Sequence, residues 1–204
     1  MYADSEVHSD SYVSFFIRSQ ADVDRMATAI QQMSAVPQPS SMALQEAQSS
    51  MAGSGTFSCS ISVDSTKYSI SDDVLPWLMF VLVNNNPTTE YYVLKWHTPL
   101  EGFRSHFLKV YCNEEELPYE GIMAKRGNPD PASYDLLLPG SAVSGSVYLG
   151  EAYDLSKPGI YRVELNTSLM DVIPNEGGDF KPHVIDDFKG QDLRCEPVVF
   201  EIVA

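Results

Sequence analysis

The sequence is short of basic residues. Its 204 residues include 13 Lys and Arg against 28 Asp and Glu, which gives a formal net charge of -15 at pH 7. Nucleic acids and anionic membranes bind proteins through clustered positive charge, so this imbalance argues against both as partners. An acidic surface keeps a folded chain soluble, and it suits a basic protein partner.

Long apolar runs are missing as well. No stretch approaches the roughly 20 apolar residues of a membrane-spanning helix. The N-terminus, MYADSEVHSD, has no cluster of positive charge, and the apolar run 13–17 is broken by Ser14 and too short for a secretion signal. As written, the sequence predicts a cytoplasmic protein, and it predicts a secreted one only if a leader precedes it. In the cytoplasm the sequon Asn166-Thr167-Ser168 would stay unmodified.

Cysteine is scarce, with three residues in the whole chain: Cys59, Cys112 and Cys195. An odd and widely spaced set does not make a disulfide framework, and no C-x-x-C or Cys/His spacing indicates a zinc site. Secreted domains that depend on disulfides carry many more cysteines than this. The sequence therefore predicts three buried or half-buried thiols.

Catalytic and cofactor-binding motifs are absent too. The chain has no H-E-x-x-H for zinc, no G-x-S-x-G for a nucleophilic serine and no glycine-rich phosphate loop. His97, Glu101 and His106 come nearest to a metal-binding set, but their spacing is too loose to indicate one. We therefore expect no catalytic residue, no bound metal and no cofactor.

The pattern that the sequence does contain divides near residue 55. Residues 21–34 (ADVDRMATAIQQMS) place apolar side chains at helical spacing, and residues 41–51 show a weaker helical pattern. Pro37 and Pro39 separate the two, because proline ends a helix. The sequence thus predicts an N-terminal segment, 1–55, that contains two short helices.

From residue 56 onward, short β-branched or aromatic runs alternate with turn residues. Runs at this pace are typical of antiparallel sandwiches, so residues 56–204 are predicted to form an all-β, immunoglobulin-like domain. Tyr161 follows the Pro158-Gly159 turn, which predicts a tyrosine corner with the ring in the core and the hydroxyl on the preceding turn. The predicted strands are 57–63, 77–84, 91–95, 107–111, 134–138, 144–149, 159–165 and 198–203.

Four motifs occur in a fixed order through this domain. They are LKWHTPLEGF (94–103), LPYEGIMAKRG (117–127), LLLPG (136–140) and AYDLSKPGIY (152–161). Together they resemble the β-sandwich domain that precedes the catalytic domain in deuterolysin-type and peptidyl-Lys zinc metalloendopeptidases. The resemblance covers about residues 57–165 and extends to the last strand, but it includes neither 1–55 nor 166–196.

The resemblance implies the fold of a prodomain-like module without its peptidase, since the zinc motif is missing. Such a module is expected to act in trans, as a protease inhibitor or regulator that binds a protein partner, with a metalloprotease as the candidate. The alternative is a structural role, in which the chain assembles into an oligomer or a larger complex. Trp96 and Pro99 of the first motif are expected to pack in the core at a sandwich corner, together with Tyr161.

Residues 166–196 form a long interruption before the last strand, and loops of this length are often functional. The segment combines apolar side chains with six acidic ones between 171 and 192, which is the composition of a contact surface. The alternative is that it folds back and covers a sheet, because exposed apolar residues are a liability in a soluble monomer. The candidate partner-binding residues are Leu169, Met170, Val172, Ile173, Phe180 and Phe188.

Overall fold

The structure is a computed structural model that describes residues 55–72 and 76–204. The two helices predicted in the N-terminal segment lie outside these residues. Within the described ranges the chain is all-β, because each regular element is a strand or a three-residue 3-10 helix. The same ranges contain no helix that is long and apolar enough to cross a membrane.

The strands alternate with short turns along the described chain. The 3-10 helices are Ile70–Asp72, Pro99–Glu101, Pro131–Ser133, Leu149–Glu151 and Ile185–Asp187. In chain order the strands are β1 (Phe57–Val63), β2 (Lys67–Ser69), β3 (Trp77–Asn84), β4 (Tyr91–Leu94), β5 (Leu108–Cys112), β6 (Glu115–Glu116), β7 (Tyr134–Leu137), β8 (Ala142–Tyr148), β9 (Gly159–Leu165), β10 (Ser168–Leu169), β11 (Val172–Pro174), β12 (Gln191–Asp192) and β13 (Val198–Val203).

The eight strands predicted from the sequence are confirmed. Strands β1, β3, β9 and β13 have the predicted bounds, and the other four differ by one or two residues at one or both ends. The sequence did not indicate β2, β6, β10, β11 or β12, which are two or three residues long. A strand of that length is shorter than the alternation that marks a strand in a sequence, and its existence depends on its neighbour.

Two sheets enclose the main core in a sandwich-like arrangement. One sheet has the order β1-β3-β8, and the other has the order β2-β13-β9-β5-β6. All their pairs are antiparallel except β13 with β2. The first sheet contributes Ile61, Leu78, Phe80, Leu82 and Val147 to the core, and the second contributes Val110, Tyr161, Val163, Phe200 and Ile202. Burial of these apolar surfaces is the main force that holds the sheets together.

Tyr161 lies at the start of β9 and has no exposed surface. Its ring stacks on Phe200 with centroids 5.2 Å apart, and its hydroxyl donates a 2.6 Å hydrogen bond to the carbonyl oxygen of Lys157. A buried tyrosine therefore keeps its polar atom bonded while its ring fills the core. This is the geometry predicted from the Pro158-Gly159 turn.

A third, smaller sheet lies where the long segment returns to the domain. Its order is β11-β4-β7, and both pairs are antiparallel. Strands β10 and β12 lie at the two ends of residues 168–192 and pair with each other. The segment predicted as one long loop is thus joined to the fold through the pairing of β11 with β4, while β10 and β12 pair within the segment.

A disulfide bond joins Cys59 to Cys195, with their Cα atoms 5.2 Å apart. The expectation of three free thiols was therefore wrong, and Cys112, which is buried, is the free cysteine of the described chain. Sequence spacing could not reveal the pair, because 136 residues separate its members and the fold alone brings them together. The bond links β1 to the segment that leads into β13.

Candidate functional site

The stretch from Trp96 to Gly102 forms a corner that hydrogen bonds hold in place. Thr98 caps the 3-10 helix Pro99–Glu101, because its hydroxyl accepts from the amide of Leu100 and donates to the carbonyl of Lys95. Gly102 ends the turn with φ of 75°, a conformation that suits glycine. The motif that carries the family resemblance therefore has a structural explanation.

The side chain of Trp96 is buried in this corner, as is Pro99. The guanidinium of Arg126 lies 4.9 Å from the centroid of the Trp96 ring and also pairs with Glu101. Phe188 covers another side of the indole, edge to face at 6.4 Å. The indole is enclosed on these sides, so Trp96 acts as a packing residue of the corner.

The loose metal-like set of His97, Glu101 and His106 is not brought together. The Glu101 carboxylate accepts from the backbone amide of His97 and pairs with Arg126, while the His106 ring stacks on Tyr119 at 5.0 Å. Residues 55–72 and 76–204 contain no group of three His, Cys, Asp or Glu side chains arranged to hold a metal ion. The corner instead contains an ion pair between Glu101 and Arg126.

Two of the candidate partner-binding residues are buried in the main core. Leu169 has no exposed surface and Val172 has 4%. Both belong to the cluster between the two large sheets, because β10 and β11 turn their side chains toward it. The hypothesis that Leu169 and Val172 bind a partner is therefore wrong, since neither side chain reaches the surface.

The other four candidates pack into a second apolar cluster, which we call the strap cluster. Its buried members are Leu94, Trp96 and Tyr134. Phe180 stacks on Tyr92 with centroids 3.7 Å apart. The half-buried residues of the strap cluster are Tyr92, Met170, Ile173, Phe180 and Phe188.

The strap cluster agrees with the alternative prediction for residues 166–196, in which the segment folds back over a sheet. The segment contributes β11 to the β11-β4-β7 sheet and then covers that sheet instead of projecting from the domain. Its apolar side chains contribute to stability by leaving water. Met170, Ile173, Phe180 and Phe188 form the half-buried edge of a small core, whereas Val184 and Ile185 of the same segment are exposed.

Asp171 is the polar centre of this covering segment, and its carboxylate is completely buried. Its oxygens accept hydrogen bonds from the hydroxyl of Tyr134 at 2.7 Å and the backbone amide of Lys189 at 2.8 Å. The ring nitrogen Nδ1 of His183 lies 3.0 Å from Oδ1. Three donors thus compensate for the loss of water around a buried charge.

His183 lies at the edge of this network, with 32% of its side chain exposed, whereas the Asp171 side chain has no exposed surface. Burial raises the pKa of Tyr134, and the hydrogen bond to Asp171 raises it further. A pocket of about 340 Å³ beside His183 is lined by Lys181, Lys189, Glu176 and Asp179 among others. Its charges are of both signs, so it selects no ligand class.

A different surface distinguishes this molecule, and we call it the neutral face. It is the outer side of the β1-β3-β8 sheet, where register pairs Ser62 with Met79 and Met79 with Ser146. None of the outward side chains on these strands is charged. They are Ser58, Ser60, Ser62, Trp77, Met79, Val81, Val83, Ala142, Ser144, Ser146 and Tyr148.

The neutral face carries large apolar groups in solvent. Trp77 and Met79 are each 49% exposed, and the Trp77 ring lies 5.5 Å from the ring of Tyr148. Exposed apolar side chains are ordinary when single, but a contiguous group of them marks an interaction surface. Ser62 and Ser146 flank Met79 on the neighbouring strands and are exposed as well.

The outer side of the five-stranded sheet shows the opposite character. Lys67 pairs with Glu201 at 3.3 Å, and Arg162 pairs with Glu164 and lies over the ring of Tyr111. A solvated sheet face of a chain with 28 acidic residues is expected to be charged in this way. The two large sheets therefore differ in the charge of their outer sides.

Trp77, Met79 and Tyr148 were not among the candidate residues predicted from the sequence, although the sequence contains a signal for them. Strand β3 reads WLMFVLVN and is apolar on both sides. A strand with one face in water normally alternates apolar and polar residues. Continuous apolar character therefore indicates a strand buried on both sides, whereas Trp77 and Met79 on the second side of β3 are each 49% exposed.

Comparison with known proteins identifies no relative, since no protein-family model and no curated protein matches the chain.

Proposed function

We propose that this chain is a non-catalytic protein-binding module built on an immunoglobulin-like sandwich, and that it binds its partner through the neutral face. The candidate residues of segment 166–196 are withdrawn from that role, because they form part of the main core and the strap cluster. The neutral face supplies the apolar contact surface that this segment does not.

The strand order supports the immunoglobulin-like assignment. In such domains the strands A, B and E share one sheet and the strands C, F and G share the other. Here β1, β3 and β8 take the places of A, B and E, while β5, β9 and β13 take those of C, F and G. Tyr161 at the start of β9 takes the tyrosine-corner position of strand F.

The neutral character of this face is the observation that carries the proposal. Interface centres are depleted of charged residues and enriched in Trp, Tyr and Met, and Trp77, Met79 and Tyr148 supply these types. A partner that docks there desolvates no charge of this chain. The acidic remainder of the surface would speed the approach of a basic partner and leave the contact itself apolar.

The family resemblance supplies the candidate partner. A module that resembles the sandwich domain of zinc metalloendopeptidases is proposed to bind such a peptidase in trans and to inhibit or regulate it. A structural function is the second candidate, because the same observation suits it. Two copies that meet at their neutral faces bring no like charges into contact, although each carries a formal charge of -15.

A matched pair of variants tests the proposal. Met79→Glu places a charge at the centre of the neutral face, and Val199→Glu places one on the other sheet, where the side chain is 50% exposed against 49% for Met79. Wild type and both variants are immobilised, and the proteins that each retains from an extract of the source cells are quantified by mass spectrometry. Their affinities for purified deuterolysin-type and peptidyl-Lys metalloendopeptidases are measured in parallel.

We expect Met79→Glu to weaken partner binding at least about tenfold, because it buries an unpaired charge. Val199→Glu should bind like wild type. Sedimentation of the same three proteins separates the two candidates, since a wild-type dimer that Met79→Glu disperses supports the structural function. Equal binding and equal sedimentation by all three proteins would remove the neutral face as the functional surface.

A further inference from the structure

We propose that Asn166 is an acceptor of an N-linked glycan. The sequon Asn166-Thr167-Ser168 is the only one in the sequence, since the nearest alternative, Asn86-Pro87-Thr88, has the proline that prevents modification. Asn166 directly follows the last residue of β9 and is exposed. The sequon therefore lies at the surface, where an oligosaccharide has room.

Asn166 differs from the other asparagines in the hydrogen bonds of its side chain. Its backbone amide donates to the carbonyl of Phe107 at 2.8 Å, but its side-chain amide makes no hydrogen bond to residues 55–72 or 76–204. The remaining six asparagines all use their side chains in hydrogen bonds. These are Asn84, Asn85, Asn86, Asn113, Asn128 and Asn175.

The contrast matters because the side-chain hydrogen bonds of the other asparagines hold parts of the fold together. Asn84, for instance, is fully buried and donates to three carbonyl groups. Asn166 has no such role, so attachment of a sugar to its nitrogen would break no hydrogen bond of the fold. The geometry is that of an acceptor already presented to solvent.

The Cys59–Cys195 disulfide is a second and independent observation, and it indicates the compartment. Disulfides form and persist in oxidising environments such as the lumen of the secretory pathway, and they are rare in the cytosol. N-glycan transfer takes place in that same lumen. The disulfide thus removes the reason for expecting the sequon to stay unmodified.

The transfer requires a lipid diphosphate-linked oligosaccharide as donor, which the secretory pathway supplies. The side-chain nitrogen Nδ2 of Asn166 forms a bond to the anomeric carbon of the first sugar, and the bond from that carbon to the diphosphate oxygen breaks. Nδ2 loses one proton, and the lipid diphosphate leaves. The glycan would then project from the end of β9, which belongs to the other sheet from the neutral face.

The experiment expresses the full chain through a eukaryotic secretory pathway and measures intact mass before and after treatment with peptide N-glycosidase. Wild type and Ser168→Thr should carry an oligosaccharide that the enzyme removes, leaving Asp at 166. Asn166→Gln and Ser168→Ala should lack it. The substitution Pro87→Ala creates a second sequon at Asn86, and a modified Asn86 there shows that the transferase reached the chain.

Two results would overturn the proposal. One is a wild-type chain with its disulfide formed and Asn166 unmodified, produced in cells that do modify Asn86 in Pro87→Ala. The other is a chain whose Cys59 and Cys195 remain reduced in that lumen, because the argument for the compartment then fails. Peptide mapping of the wild-type chain reads the state of Asn166 and of both cysteines, and the Pro87→Ala chain serves only to show that the transferase is active.

Discussion

The hydroxyl of Tyr134 donates a hydrogen bond of 2.7 Å to Oδ2 of Asp171, a carboxylate with no exposed surface. This contact connects β7 to the segment that covers it. The carboxylate in turn receives the His183 ring and the Lys189 amide, which lie farther along the same segment. A single buried charge thus fastens residues 171–189 to the β11-β4-β7 sheet.

Removal of this charge is predicted to destabilise the fold. Asp171→Ala leaves the buried Tyr134 hydroxyl and the Lys189 amide without their acceptor, so the free energy of unfolding should fall by about 2–4 kcal/mol. Asp179→Ala is the matched control, because that side chain is exposed in the same segment. Urea denaturation of both variants measures the difference. Equal midpoints for the two variants would contradict the role of Asp171.

Shortening the covering segment is predicted to lower the thermal midpoint of unfolding. Deletion of residues 177–190 removes Phe180, His183 and Phe188, and it exposes the indole of Trp96. The double substitution of Val184 and Ile185 by Ser is the control, since both residues are exposed in the same segment. Calorimetry should show a large loss for the deletion and none for the control. A deletion variant that melts like wild type would restore the segment as an independent binding loop.

The corner that contains Pro99 is predicted to tolerate no side chain at residue 145. A Cβ atom at Gly145 would lie 2.6 Å from the carbonyl oxygen of Pro99, and backbone atoms cannot give way as a flexible side chain does. Gly145→Ala should therefore cost about 1–3 kcal/mol of stability. Gly127→Ala, where a Cβ would meet nothing within 4 Å, should cost little. Chemical denaturation of the two variants decides the point.

Thiol titration is predicted to find one reactive cysteine in the unfolded, unreduced chain and three after reduction. The first is Cys112, and the other two come from the Cys59–Cys195 bond. The bond closes a loop that spans 136 residues, so substituting both cysteines by Ser should cost about 4–5 kcal/mol on the chain-entropy model. Detection of three thiols before reduction would contradict the bond.

Stability is predicted to decline as the pH rises above 10. Burial raises the pKa of Tyr68, Tyr134, Tyr153 and Tyr161 above their ordinary value of 10.0. The folded chain therefore holds these protons more tightly than the unfolded chain, and the stabilisation is complete below pH 10 and lost above it. Urea unfolding on either side of pH 10 tests the slope. Absorbance at 295 nm should show these tyrosines ionising only with unfolding, and ionisation within a folded chain would count against the prediction.

The strands that form the two large sheets were predictable from the sequence because each is long enough to show its own pattern. The alternation in β1 and the turn before Tyr161 depend on neighbouring residues, so local chemistry reveals them. The disulfide and the Asp171 network could not be predicted in this way. Only the folded chain brings Cys59 close to Cys195, and Tyr134 and Asp171 are 37 residues apart in the sequence.

The neutral face was missed for a different reason. A sequence shows that Trp77 and Met79 are apolar, but it does not show whether another layer covers them. Strand β3 reads like a central strand with both sides buried, and it lies between β1 and β8 in the sheet. The exposed fraction of its outward side chains depends on tertiary structure alone.

The bond between Cys59 and Cys195 also determines what a protease can do to this chain. A cut at any peptide bond between the two cysteines opens the backbone but leaves the two fragments covalently joined. The covering segment 166–196 lies almost wholly inside that span, and its exposed stretches 176–179 and 184–187 are accessible to a protease. The nicked chain would keep both halves of its sheets at high effective concentration, since they cannot diffuse apart. Nicking would therefore pass unnoticed on a non-reducing gel and become visible only when the disulfide is reduced.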